Sequence, residues 1–209
     1  MGTTEQRVRR AAIELFAERG FHGTGIRDLA ERAGLSSATL YHYMGTKEDL
    51  LVSIMRESLT RLVTAGERLP GASPQERVAG LVQLHVLTHA VQQEETRVVD
   101  DEMRSLTPAR RAEVVALRDR YEALWQSAID DGCSVGAFTV SAPRVARLAL
   151  LEMCSGVARW YAPDGPIPLP ELAVRYTEMA LGLLGGAEVP PADVAGIRVL
   201  VDTVWASQN

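Results

Sequence analysis

Apolar residues recur at intervals of three and four through the first twenty residues, which predicts an amphipathic helix. Thr3 and Gln6 have the spacing of a capping box at its start, and Gly20 is placed to end it in a left-handed conformation. The predicted apolar face consists of Val8, Ala12, Leu15 and Phe16. The chain is therefore expected to begin with a well-delimited helix.

Two short helices are predicted next. The first has its apolar positions at Ile26, Leu29, Ala30 and Ala33. Gly34 ends it, and Ser36 and Ser37 are placed to cap another helix that ends near Tyr43. Two short helices joined by a glycine turn are typical of a helix-turn-helix, whose second helix enters the major groove of DNA.

The rest of the chain is also predicted to be helical. Thr46 caps a long helix, and proline- and glycine-rich breaks delimit roughly five more. The one β-like run lies near residues 135–140. We therefore predict an all-α fold with an N-terminal domain of residues 1–50 and a C-terminal helical domain of residues 51–209.

Composition adds limits to this picture. The hydrophobic fraction of 46% and the charged fraction of 23% are near globular averages, and no apolar run is long enough to cross a membrane. The N-terminal residues lack a secretory pattern, and Cys133 and Cys154 form no disulfide or metal framework. These features predict a cytoplasmic protein with no membrane association and no bound metal.

The charge distribution matters more than the net charge of −5. Residues 1–50 contain seven basic and seven acidic side chains, so the acidic excess lies entirely beyond residue 50. A neutral domain binds DNA only if its cations share one face. Composition alone would not have predicted DNA binding.

The run from Gly20 to Leu50 reads GFHGTGIRDLAERAGLSSATLYHYMGTKEDL. It resembles the DNA-binding domain of TetR-family transcriptional regulators, and the resemblance covers about residues 5–52. It implies a three-helix helix-turn-helix DNA-binding domain followed by a helical ligand-binding and dimerisation domain. The sequence departs from the family pattern at Gly25, Ala38 and Met44, and the first departure led us to expect that Thr24 caps the second helix.

The resemblance also implies which residues contact operator DNA. Base edges would be read from the third helix, because hydroxyl, methyl and imidazole groups all fit a major groove. The residues expected at the DNA are Arg27, Ser36, Ser37, Ala38, Thr39, Tyr41, His42, Tyr43 and Lys47. Lys47 begins a helix, so its ammonium and the backbone amides of that helix start can bind the same DNA phosphate. For Tyr41, packing alone was the competing interpretation.

Two segments of the C-terminal domain are candidates for a homodimer interface. Residues 144–160 are apolar nearly all round, and residues 169–184 have a broad apolar face. Pairing these helices with their copies would form a four-helix interface, in the place that the family resemblance implies. The predicted interface residues are Leu148, Leu151, Leu172, Tyr176, Met179 and Leu183.

A candidate effector site follows from the helix after Pro74. Its apolar stripe turns polar at His85, Thr88 and His89, which is typical of a helix that passes from core to pocket. Metal ligation by the two histidines and simple core packing were the alternatives. Tyr121 and Trp125 on the following helix would line the cavity or merely fill it.

A weaker resemblance concerns residues 103–121, 156–161 and 163–166. They resemble the C-terminal domain of a TetR branch associated with lipid and steroid breakdown, which implies an acyl-CoA thioester as effector. The phosphates of such an effector would bind Arg104 or Arg159, and Trp160 next to Arg159 would belong to the same effector site. Arg159 would serve equally well to complement helix carbonyl groups.

Two other function classes are alternatives to a transcription regulator. An enzyme using His85, His89, Asp100, Asp101 or Glu102 lacks any nucleotide-binding, nucleophile-elbow or zinc-protease motif, so we expect no enzymatic activity and no cofactor. The other alternative is a TetR-fold binding protein that acts as an activator or has lost DNA binding. The main expectation is a ligand-responsive repressor that binds palindromic operator DNA as a homodimer.

Overall fold

The computed structural model describes residues 3–186 and 193–206. Over these residues the regular secondary structure is helical and contains no strand, which confirms the all-α prediction and leaves residues 135–140 without a strand. The helices are α1 (Thr4–Gly23), α2 (Ile26–Ala33), α3 (Ser37–Met44), α4 (Lys47–Glu67), α5 (Pro74–Val91), α6 (Gln93–Asp101), a 3₁₀ turn (Glu102–Ser105), α7 (Pro108–Ser134), α8 (Pro143–Ser155), α9 (Val157–Trp160), α10 (Leu169–Leu183) and α11 (Val194–Ala206).

The predicted start of α1 is confirmed. The Thr3 side chain accepts a hydrogen bond from the Gln6 amide, and the Gln6 side chain accepts one from the Thr3 amide. Gly20 has the expected positive φ of 74°, but it interrupts the helix, which resumes and ends at Gly23. All four residues predicted for the apolar face of α1 are buried.

The chain divides into two compact units. Within the described residues, the first comprises residues 3–60 and 94–117, and the second comprises residues 61–93, 118–186 and 193–206. The boundary predicted at residue 50 lies inside α4, and α4 and α7 each contribute residues to both units. The first unit is therefore larger than the predicted DNA-binding domain.

Ion pairs attach residues 94–117 to α1 and α4 within the first unit. The Arg9 guanidinium lies 3.0 Å from the Glu57 carboxylate and 3.0 Å from the Glu95 carboxylate, with all three side chains largely buried. Asp49 at the start of α4 pairs with Arg110. These partners are far apart in sequence, so a local pattern could not reveal them.

The second unit is built around α5. Every residue of α5 from Val78 to Ala90 is buried, because α8, α9, α10 and α11 all contact this helix. Tyr121 and Trp125 of α7 add large buried rings. A helix covered on all sides is expected to be apolar, so the polar side chains within α5 require a separate explanation.

Candidate DNA-binding and effector sites

The turn between α2 and α3 is fixed by a glycine and a cation. Gly34 has φ 65° and ψ 42°, a left-handed conformation that favours glycine, and its amide donates to the carbonyl groups of Ala30 and Glu31. The Arg7 guanidinium donates to the carbonyl oxygens of Ala33 and Gly34. The last carbonyl groups of α2 therefore have partners at the point where the chain turns.

Helix α3 is anchored by two residues and exposes the others. Ser36 caps it by accepting a hydrogen bond from the Thr39 amide at 3.1 Å, and Leu40 and Met44 are buried against the rest of the unit. The N-cap Ser36 is exposed, and so are the six α3 residues predicted at the DNA: Ser37, Ala38, Thr39, Tyr41, His42 and Tyr43. Met44 fills the apolar position where the family pattern has an aromatic residue.

The two tyrosines of α3 lie on the surface rather than in the core. Tyr41 is 53% exposed and Tyr43 is 45% exposed, so packing alone does not explain Tyr41. The rings of His42 and Tyr43 meet edge to face with their centroids 5.2 Å apart. The exposed surface of α3 therefore combines hydroxyl, methyl, imidazole and phenol groups, which are all able to contact bases or phosphates.

The start of α2 corrects one expectation. Gly25 is the N-cap residue, and the Asp28 carboxylate accepts a hydrogen bond from its amide at 2.9 Å. The Thr24 hydroxyl instead donates to the carbonyl groups of Leu15 and Gly20, so the expectation that Thr24 caps α2 was wrong. The Thr24 hydroxyl is buried and both of its partners lie in α1, so it does not serve as an N-cap.

Lys47 has partners within its own unit. Its ammonium donates to the carbonyl oxygens of Phe21 at 2.7 Å and Thr24 at 2.8 Å, and lies 4.3 Å from the centre of the Phe21 ring. Burial lowers the pKa of Lys47, and the negative charge of Glu102 opposes this. Lys47 therefore complements the negative end of α1, and its contact with a phosphate stays a prediction.

Most other cations near the N-terminus are also paired. Arg32 bridges Glu14 and Glu18, and Arg19 lies 3.7 Å from Asp28. Arg10 and Arg27 are exposed and make no ion pair within the described part of the chain. Of the predicted phosphate-binding cations, Arg27 is the one with its charge available at the surface.

A polar cluster occupies the interior of the second unit. The His85 ring stacks on His89 with the centroids 3.9 Å apart, and its two nitrogens face the Tyr121 hydroxyl at 3.2 Å and the Ser155 hydroxyl at 3.0 Å. Trp125 meets the His85 ring edge-on at 5.8 Å. Four of the predicted effector residues, His85, His89, Tyr121 and Trp125, are thus brought together.

Burial holds His85 and Tyr121 in their uncharged forms. It lowers the pKa of His85 well below the usual value, and the positive charges of His89 and Arg118 act in the same direction. Burial also raises the pKa of the Tyr121 phenol and of the nearby Cys154 thiol. At neutral pH, His85 is therefore a neutral imidazole beside a protonated phenol.

The remaining predicted effector residues lie elsewhere. Trp160 is 51% exposed and stacks on Tyr176 with the ring centroids 6.5 Å apart, and its neighbour Arg159 is exposed too. Arg104 is an exposed residue of the 3₁₀ turn and belongs to the first unit, so the structure does not place it in the cluster. No group of three or more His, Cys, Asp or Glu side chains suited to a metal ion occurs among the described residues.

The predicted interface residues fall into two groups. Leu148, Met179 and Leu183 are about half exposed, and Leu151 is intermediate. Leu172 and Tyr176 are buried within their own chain. The sequence pattern did not separate the inner face of α10 from its outer face because both are apolar.

A helix-turn-helix whose second helix is polar and exposed is the architecture of one class of DNA-binding transcription regulators. Family comparison agrees. Residues 8–54 match the bacterial regulatory proteins of the tetR family, and residues 71–184 match the tetracyclin repressor-like C-terminal domain. This chain belongs to the TetR family.

Individual relatives support the assignment. The HTH-type transcriptional repressor KstR2 of Mycolicibacterium smegmatis is 27% identical over 177 residues, which cover 82% of this chain and 85% of KstR2. A tetR-family regulatory protein from Rhodococcus RHA1 has a TM-score of 0.83 at 29% identity, covering 90% of this chain and all of that one. The regulator PfmR from Thermus thermophilus has a TM-score of 0.76 at 34% identity, covering 87% of this chain and 99% of PfmR.

Sequence reasoning missed several residues that complete these sites. Arg7 supports the turn of the helix-turn-helix, and Ser155 completes the His85 cluster. Both act on partners that lie tens of residues away in the chain. Thr88 did carry a local signal, since it shares the polar stripe of α5 with the two histidines.

Proposed function

We propose that this TetR-family chain is a transcriptional repressor that binds palindromic operator DNA as a homodimer and is released by a small, largely apolar effector. The single observation that carries the DNA-binding part is the surface of α3. Leu40 and Met44 anchor that helix, while the side chains expected at the bases are exposed. The name of KstR2 describes a repressor, which supports the direction of regulation.

In this proposal Ser37, Ala38, Thr39 and His42 face base edges, and Ser36, Tyr41, Tyr43 and Arg27 hold phosphates. Side chains of these types make the hydrogen bonds that position a recognition helix and read a groove. In this proposal Lys47 acts through its bonds to the end of α1 and not through a phosphate, although the family resemblance implies such a contact.

Dimerisation is proposed through the outer faces of α8 and α10. Leu148, Met179 and Leu183 expose apolar side chains there, and Leu151 adds a half-buried one. Leu172 and Tyr176 would support the interface from inside their own chain. A twofold dimer presents two recognition helices to half-sites about 34–36 Å apart, or a multiple of that distance.

The effector is proposed to bind in the second unit at the cluster of His85, His89, Tyr121 and Trp125. The weaker resemblance to the lipid- and steroid-breakdown branch favours an acyl-CoA thioester, with Arg159 and Trp160 as exposed partners for its polar end. Release requires that the effector prefer the conformation that does not fit the operator, by about 10⁴-fold for a nearly complete switch. A calorimetric titration of effector into free and operator-bound dimer would contradict this if the two affinities were equal.

The DNA-binding part is tested by selection from a pool of random duplexes, followed by footprinting on the enriched sequence. The proposal expects an inverted repeat that is protected on two faces one or more helical turns apart. A pool that shows no enrichment over several rounds would refute it. The measurement should be repeated at rising salt, because non-specific binding weakens steeply under these conditions.

A further inference from the structure

The His85 cluster has a feature that constrains the chemistry of the effector, and the inference rests on the effector role proposed above. Both ring nitrogens of His85 face hydroxyl groups, Nδ1 that of Tyr121 and Nε2 that of Ser155. A neutral imidazole has one N–H group and one lone pair. It therefore donates to one of these hydroxyls and accepts from the other.

Whichever tautomer forms, the cluster keeps one unused hydroxyl hydrogen. The hydroxyl that accepts from the imidazole N–H still carries its own hydrogen, and His85 has no second lone pair to take it. Tyr121 is buried, whereas Ser155 is half-buried at the end of α8. Ser155 is thus the hydroxyl better placed to offer this hydrogen to a ligand.

Two further polar groups lie in the interior near His85. The Thr88 hydroxyl, one helical turn from His85, and the Trp125 indole N–H belong to fully buried side chains, and neither makes a hydrogen bond of normal geometry within the described residues. The indole N–H is directed at the Tyr121 hydroxyl, and this hydrogen-bonding contact opposes the effect of burial on the pKa of that phenol.

These groups have more hydrogens to donate than acceptors to receive them. An indole N–H can only donate, and each hydroxyl supplies one hydrogen. We propose that the effector places an uncharged carbonyl oxygen among Ser155, Thr88 and Trp125, with its apolar part against the surrounding rings. An amine would bring more donors toward the positive charge of Arg118, and a carboxylate would lose far more hydration than a carbonyl group.

Three probes with the same alkyl chain separate these chemistries: methyl decanoate, decanoate and decylamine. Each is titrated calorimetrically into the full-length protein, and its effect on the melting temperature is recorded. The inference expects methyl decanoate to bind most tightly and to raise the melting temperature most. Binding of decanoate or decylamine in preference to the ester would overturn it, and so would binding of none of the three.

Substitution Thr88→Val removes the unpaired hydroxyl while keeping the shape of the side chain. The variant should fold at least as stably as the wild type, because that hydroxyl has no partner to lose. Its affinity for methyl decanoate should fall about tenfold, the equivalent of one buried hydrogen bond. The Trp125→Phe variant, which removes the indole N–H, provides a second test with the same expected direction.

Thr177→Val is the control. Thr177 is also a buried threonine of the second unit, but it lies on α10 and its hydroxyl donates to the Ala173 carbonyl at 2.8 Å. Its substitution should leave ester affinity unchanged. Equal ester affinity in Thr88→Val, Trp125→Phe and wild type would overturn the inference. Operator binding by the unliganded protein is measured separately, so failure of the regulator proposal would be recognised while ester binding is still scored.

Discussion

The ammonium of Lys47 donates a hydrogen bond to the carbonyl oxygen of Phe21 at 2.7 Å and lies over the ring of the same residue. The only lysine of the chain therefore holds the end of α1 against the start of α4. The positive charge of Lys47 therefore helps to position the DNA-binding helices.

Substitution Lys47→Gln should lower stability and operator affinity without changing the salt dependence of binding. Loss of charge-assisted hydrogen bonds to two carbonyl groups should cost about 1–3 kcal/mol, measured by chemical denaturation. The slope of log affinity against log salt should stay that of the wild type. Arg27→Gln is the comparison, and it should keep stability while reducing the magnitude of the slope by about 0.9. If Lys47→Gln reduced the slope as Arg27→Gln does, its main role would be phosphate contact.

Gly34→Ala should destabilise the helix-turn-helix. The residue has φ 65°, and a Cβ there would lie 2.8 Å from Nη2 of Arg7, so both the backbone and the arginine must shift. We expect a loss of about 1–2 kcal/mol in the free energy of unfolding and weaker operator binding. Gly23→Ala is the control, since its Cβ would make only an ordinary contact at 3.5 Å. Equal stability of the two variants would contradict the role given to this turn.

These cases show which features the sequence could predict. The capping box at Thr3, the left-handed Gly34 and the Ser36 cap depend on residues within a few positions, so local patterns revealed them. The partners of Lys47 and the bond between His85 and Ser155 join residues 23 to 70 positions apart. Thr24 shows what local patterns cannot predict. A threonine that caps α2 and a threonine whose buried hydroxyl bonds to α1 have the same position in the sequence.

His85 should make stability depend on pH below neutrality. Its folded-state pKa lies well below the unfolded value of about 6.5. As the pH falls, the unfolded chain therefore takes up a proton on His85 before the folded chain does. The stabilisation that the neutral His85 provides is fully present above pH 6.5 and is lost as the pH falls toward the folded pKa. The loss should approach about 1.4 kcal/mol per pH unit.

Denaturation of the wild type and of His85→Gln at pH 7.5, 6.5 and 5.5 measures this contribution. The difference in stability between them should shrink or reverse as the pH falls, because glutamine takes up no proton. His22→Gln changes an exposed histidine, and its stability should vary with pH as that of the wild type does. A constant difference across the three pH values would rule out the assigned protonation state.

The proposed interface is tested by a charge on its exposed face. Leu148→Glu and Met179→Glu each place a carboxylate where a half-exposed apolar side chain stands, and should shift the protein from dimer to monomer in sedimentation velocity. Val199→Glu, at a more exposed apolar residue of α11, should leave the dimer intact. A wild-type monomer, or interface variants that remain dimeric, would contradict the proposed face.

The claim that α3 reads base edges is tested most directly by comparing specific with non-specific binding for His42→Ala. Fluorescence anisotropy would give its affinity for the selected operator and for a scrambled duplex at the same salt concentration, with His22→Ala as an exposed control. We predict that His42→Ala loses about 1–3 kcal/mol on the operator and nothing on the scrambled duplex, while the control loses nothing on either. Equal affinities of His42→Ala and wild type for the operator, or equal losses on both duplexes, would contradict the account.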